Sequence, residues 1–256
     1  MIQLKSTREI DVMAEGGRIL AATLETVRGH VRPGVSTAEL DAIAEEFIRS
    51  HEGAVPAFKG LYGFPATLCT SVNNEIVHGI PSRSRVLREG DIISVDVGVK
   101  YKGYYTDMAA TVPVGAVDAR TAKLLEVTKH SLDVRIEAAQ PGNHIGDIGA
   151  AVQKVVEAAG FSVVRTLVGH GIGVEPHEEP QVPNHGKPKR GQPLVPGLCI
   201  AIEPMVNVGS AGTRTLGDKW TVVTQDGSRS AHFEHTVAIT ADGPRILTAA
   251  TSAVRS

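Results

Sequence analysis

The chain has 256 residues, 42% of them hydrophobic and 21% charged, the balance of a soluble globular protein with room for a sizeable core. A formal net charge of -2 leaves no electrostatic case for binding nucleic acid or an anionic membrane, and no run approaches the ~18 apolar residues of a membrane span. Cys69 and Cys199 are too few for a disulfide framework, and the N-terminus lacks an apolar signal core, so a reducing cytoplasm is the expected compartment.

Ser6-Thr7-Arg8-Glu9 has the spacing of a capping box and predicts a first helix after Ser6. Ile10, Met13, Ala14, Ile19, Leu20, Leu24 and Val27 follow at a helical period. Pro33-Gly34 interrupts. Ser36 or Thr37 then caps a second helix, with Leu40, Ile43, Ala44, Phe47 and Ile48 on one face and Gly53 at its end. Residues 54–66, rich in Gly, Pro and aromatics, read as a loop with short extended pieces, and residues 67–79 as a strand pair leading into His78-Gly79-Ile80-Pro81. The β-branched run Ile92-Ile93-Ser94-Val95-Asp96-Val97-Gly98-Val99 predicts a strand buried on both faces, followed by a turn and a second strand through Asp107. Amphipathic helices follow over 118–139 and 145–159, separated by Pro141-Gly142. Phe161–Val164 is strand-like and leads to the glycine-flanked turn Gly169-His170-Gly171. A Pro-rich loop, whose Lys187, Lys189 and Arg190 read as solvated, occupies 174–197. Segments around Ile200, Thr221 and Val237 read as antiparallel strands.

The order suggests a duplication. Pro33-Gly34 and its helix resemble Pro141-Gly142 and its helix, and Gly90 through Asp96 echoes Gly197 through Glu203. We expect one α+β domain of two pseudo-symmetric halves, about 1–117 and 118–256, sharing an antiparallel sheet with a site between them.

Asp96, Asp107, Glu203 and Glu234 all interrupt apolar strands, and His170 sits between glycines. A lone ionised carboxylate in such a strand costs several kcal/mol or more unless a cation or donors meet it. Four such exceptions in one chain point to a shared cause. A carboxylate-rich set with one imidazole suits a pair of divalent ions better than a structural zinc. Two such ions about 3.5–4 Å apart can share a hydroxide. His232 points to the same strand face as Glu234, but its spacing alone assigns it no role. His235 points to the opposite face.

Taken together, Gly90–Asp96 with its spacing to Asp107, Gly169-His170-Gly171-Ile172-Gly173, His177-Glu178-Glu179-Pro180, Ile202-Glu203-Pro204 and Phe233-Glu234-His235-Thr236 resemble type I methionine aminopeptidases, over nearly the whole chain. The resemblance implies the pita-bread fold, whose two related halves agree with the duplication. It implies that Asp96, Asp107, His170, Glu203 and Glu234 bind two divalent ions (cobalt, manganese, iron or zinc), with Asp107 and Glu234 bridging. It implies that a hydroxide held by the ions removes the N-terminal methionine from nascent polypeptides, with Glu203 as proton shuttle and His78 and His177 as substrate contacts. Asn73 and Ser230 match a monovalent-cation site of some members. A monomer, associating with ribosomes, is the expected working form. Phe64, Cys69 and Trp220 suit a polarizable slot for a thioether. Phe58–Pro65 departs from the family's usual pocket wall, Cys-x-Gly-Tyr-His-Gly-Tyr-Pro, and Pro176 stands where Phe is common. A proline-directed aminopeptidase or prolidase of the same fold, and a non-catalytic binding module, are the alternatives. The first is separated by activity on Xaa-Pro peptides, the second by the absence of a bound divalent ion.

Overall fold

The structure, a computed structural model, describes residues 2–249. Helices α1 (Thr7–Arg28) and α2 (Thr37–Arg49) precede strands β1 (Ala54–Pro56), β2 (Leu68–Val72), β3 (Glu75–Val77), β4 (Ile92–Tyr101) and β5 (Tyr104–Pro113). Helices α3 (Ala119–Ala138) and α4 (Ile145–Ala158) precede β6 (Ser162–Val163), β7 (Val168–Gly171), β8 (Glu178–Pro183), β9 (Cys199–Ile202) and β10 (Met205–Asn207). The chain continues through β11 (Thr213–Thr215), β12 (Val222–Thr224), β13 (Ser230–His232), β14 (Glu234–Thr240) and β15 (Gly243–Ile246).

Local chemistry explains where the helices start. Ser6 and Ser36 each accept from the backbone N–H three residues on, while Glu9 and Glu39 reach back to the cap N–H, so both capping boxes close. Ser36 rather than Thr37 is the second cap, and α2 ends at Ser50, before Gly53. Gly17 is required by packing: a Cβ there would lie 2.1 Å from the Leu247 carbonyl oxygen.

The main sheet runs β1-β4-β5-β14-β9-β7-β8, with β2 also on β4 and β15 also on β14, and its pairs are antiparallel. One face carries the helices. Val95, Val97 and Val99 pack with Leu20, Leu24, Leu40 and Ile48 of α1 and α2. Ile200, Ile202, Val237 and Ile239 pack with Leu132, Ile136, Ile145 and Ile148 of α3 and α4. Each such buried side chain stabilises by about 1.5–3 kcal/mol. This face holds most of the sheet together, and the opposite face, apart from a smaller apolar cluster in which Cys199 and Ala238 meet Ile10 and Met13, carries the polar residues.

Several expectations need correction. β2 and β3 do not pair with each other: β2 joins β4, and β3 joins a smaller sheet with β11 and β12. Within the expected loop 174–197 lies β8, hydrogen-bonded to β7. His170 belongs to β7 and not to a turn. β4 is not covered alike on both faces, because at Asp96 the face away from the helices opens onto a cavity.

Candidate metal centre

The sheet register collects the expected ligands. Asp96 lies opposite Ala109, and Ala109 opposite Glu234, across three adjacent strands. Asp107 is two residues from Ala109, hence on the same face. On the other side His235 pairs with Ile202, so the next step of that register sets Glu234 opposite Glu203. Gly171 pairs with Ile200, which sets His170 opposite Ala201 on the Glu203 face. Period-two alternation thus delivers side chains from five strands or strand ends to one patch.

Asp107, Glu203 and Glu234 are buried, and Asp96 and His170 are half-buried. Asp107, His170 and Glu234 each offer a ligand atom within 4.8 Å of the others. His170 Nε2 is 3.6 Å from Glu203 Oε1. His170 Nδ1 lies 2.9 Å from the Gly171 carbonyl oxygen. A carbonyl can only accept, so Nδ1 carries a proton and the ring is turned with Nε2 toward the carboxylates. Asp96 Oδ1, Asp107 Oδ1 and Glu234 Oε1 are buried with no hydrogen-bond partner among the described residues. Buried oxygens of this kind normally have partners. Burial pushes Asp96 up to about 6. Burial, reinforced by the neighbouring carboxylates, pushes Asp107 and Glu234 well above the usual range. Burial also acts against ionised Glu203, but the imidazoles of His232 and His170 and the Arg135 charge outweigh it and leave this carboxyl below its ordinary value. Orphaned oxygens, mutually repelling carboxylates and an oriented imidazole fit divalent ions.

A cavity of about 520 Å³ opens over this patch. Phe58, Phe64, Cys69 and Trp220 form an apolar cluster on its wall, with Phe64 and Trp220 edge to face at 5.1 Å. Cys69 is held directly beside Asp96 by the β2–β4 register. His78 and His177 both line the cavity. Burial lowers His78, and burial followed by the His170 ring lowers His177 to about 4, so both are neutral near pH 7. His177 packs edge to face on His170 at 4.4 Å and stacks on Tyr62 at 5.9 Å. The loop that carries it is anchored by the next residue, Glu178, which pairs with the buried Lys5 ammonium and accepts from the Val174 and Glu175 N–H groups. Asn73 and Ser230 also come together, Ser230 N–H donating to the Asn73 carbonyl oxygen at 2.9 Å.

Two residues gain a place at the site that the sequence reading did not assign them. Tyr62, 74% exposed, reaches the cavity rim from a left-handed backbone position with φ 50°. The spacing of glycines around it was the available signal. His232 lies in the centre, 3.5 Å from Glu203 Oε2 and 3.9 Å from Glu234 Oε2 through its Nε2. Its same-face spacing to Glu234 was visible, but the β10–β13 pairing that drives it inward is non-local. His235, as expected, turns away and bonds Thr248.

A family model described as metallopeptidase family M24 matches residues 11–241. The chain is 54% identical to methionine aminopeptidase 1 of Bacillus subtilis (strain 168) over 97% of its own length and 99% of the relative's. A crystal structure of methionine aminopeptidase from Thermotoga maritima superposes with a TM-score of 0.95 at 44% identity, covering 97% of this chain and 99% of that one. Prolidase from Pyrococcus furiosus shares the fold, with a TM-score of 0.79 at 21% identity over 96% of this chain and 65% of its own.

Proposed function

We propose, for a chain that belongs to metallopeptidase family M24 and within it to the methionine aminopeptidases, that Asp96, Asp107, His170, Glu203 and Glu234 hold two divalent ions beneath a methionine-binding cavity. The enzyme is a metal-dependent aminopeptidase of the pita-bread fold. The observation that carries the site assignment is the convergence of the five side chains on one sheet face, with buried carboxylate oxygens left without partners among the described residues. When bound, cobalt, manganese, iron or zinc ions would neutralise these carboxylates and supply Lewis acidity toward water and the scissile carbonyl.

The chain's own groups do the rest. Phe64, Cys69 and Trp220 receive the methionine side chain, and the polarizable sulfur suits their aromatic and thiol surfaces. Glu203, kept ionised by the flanking imidazoles, takes a proton from the attacking water and returns it to the leaving amine. His78 and His177 are neutral and line the cavity, so each can donate an N–H to charge developing on the scissile amide. The contact of Asn73 with Ser230, beside an Asn207 Oδ1 with no hydrogen-bond partner among the described residues, supports a monovalent cation there. We read the chain as one catalytic domain of two duplicated halves, 1–117 and 118–256. The support is that each half lays a helix pair on the same face of the sheet. Its setting is the cytoplasm, as a monomer acting on nascent chains at the ribosome. The support is two free cysteines and a substrate that every new chain presents.

Glu203→Ala and His170→Ala should each lower turnover of a Met-Ala-Ser peptide by at least about a hundredfold while circular dichroism shows an intact fold. Full activity in either variant would show the site assignment to be wrong.

A further inference from the structure

We propose that His232 is a sixth ligand of this metal centre, set between Glu203 and Glu234; the proposal rests on the metal reading above. Three observations lead there. His232 is 1% exposed and lines the cavity floor, yet neither ring nitrogen has a hydrogen-bond partner among the described residues. A buried imidazole with both nitrogens idle is uncommon, and a metal ion on Nε2 would supply one of the two missing partners.

The second observation is distance. His232 Nε2 lies 3.5 Å from Glu203 Oε2 and 3.9 Å from Glu234 Oε2. These are long for hydrogen bonds. The first matches the separation of neighbouring donors around one tetrahedral ion, roughly 3.3–3.6 Å when the bonds are about 2.0–2.2 Å, and the second is slightly longer. His170 Nε2 stands in the same relation to the other oxygen of Glu203, at 3.6 Å. Glu203 is thus flanked by an imidazole on each oxygen, one from β7 and one from β13.

Third, the position is built. The His232 N–H donates to Thr111 Oγ1 at 2.8 Å, and the Thr111 hydroxyl donates back to the His232 carbonyl at 2.9 Å. Ser94 completes Thr111, hydroxyl to hydroxyl, at 2.8 Å. The backbone that carries the ring is therefore clamped to β5 and β4, the strands that bear Asp107 and Asp96. A second imidazole makes the donor set softer. It should shift preference away from manganese and toward cobalt, iron and zinc.

The test is Co2+ added to metal-free protein, read by visible absorption, calorimetric affinity and X-ray absorption. The expected result is two imidazoles per ion pair in the unaltered protein and one in His232→Gln. That variant should also bind Co2+ at least about tenfold more weakly, with a changed absorption band. One imidazole in the unaltered protein, or an unchanged affinity and spectrum in His232→Gln, overturns the proposal and leaves the five-ligand reading standing. Failure of the unaltered protein to bind Co2+ overturns both.

Discussion

His78 occupies its place because Gly79 follows it. His78 has φ 59°, and a Cβ on Gly79 would lie 2.2 Å from the Thr70 carbonyl oxygen. Gly79 is tied to the same strand by its own N–H to Ser71 Oγ and by the Thr70 N–H to its carbonyl. Backbone cannot yield there as a flexible side chain would. Gly79→Ala should therefore cost about 1–3 kcal/mol in a urea melt and lower kcat/KM by displacing His78. An alanine variant with unaltered stability and kinetics would show the close approach to be unimportant. At this scale the sequence revealed residues that break a local rule. Asp96, Asp107, Glu203 and Glu234 are conspicuous because charge in an apolar strand is costly without a partner. Arg135 shows the opposite case. It sits on an amphipathic helix of ordinary appearance, yet it is fully buried and donates to Asn184 Oδ1 and to the Val182 and Pro183 carbonyls. Those partners lie nearly fifty residues away, so no local pattern announces them.

The four α-helices could be located from their apolar periods, and the first two from their caps as well, because both signals lie within the element itself. Ser36 gives a direct check. Its hydroxyl caps α2 by accepting from Glu39 N–H, and its own N–H donates to Glu39 at 2.8 Å. Ser36→Ala should lower stability by about 1 kcal/mol in thermal or urea unfolding. Because α2 packs on the helix-bearing face of the sheet, kcat on a Met-Ala-Ser peptide should not change. Short strands were the harder part. β10, β11 and β13 have three residues each, too few to show alternation; β10 exists through the distant β6 and β13, and β11 through its pairing with β12. β8 was hidden for another reason: its prolines read as loop, yet it sits at the end of the strand order, where missing N–H donors are tolerated.

At the scale of the molecule, the face that stabilises the sheet and the face that works are separate, and the working face opposes folding when no cation is bound. The sign follows from Asp96. Its folded value of about 6 stands above its ordinary 3.8. Between those limits the folded protein keeps a proton that the unfolded chain has released, so raising the pH favours unfolding. Asp107 and Glu234, pushed further up, extend the window to higher pH. His177 and His235, lowered to about 4, and the lowered His78 act with the opposite sign below their ordinary 6.5, so the comparison belongs above it: chelator-treated protein should melt lower at pH 8.5 than at pH 7, and Co2+ should restore the difference while releasing protons to the buffer. A melting temperature that rises over that range in the metal-free protein would contradict this account. The general architecture was legible because the apolar pattern of the helix-bearing face repeats along the chain, whereas the strand order was not. That order has a consequence for synthesis. β14, among the last elements made, is inserted between β5 and β9 at the middle of the sheet. Until translation has passed residue 240, those two strand edges face open solvent and Glu234 has not joined its partners. The sheet therefore closes late, through contacts of long sequence separation that form slowly. An enzyme that trims the beginnings of other chains completes its own active site only once β14 has been made and inserted.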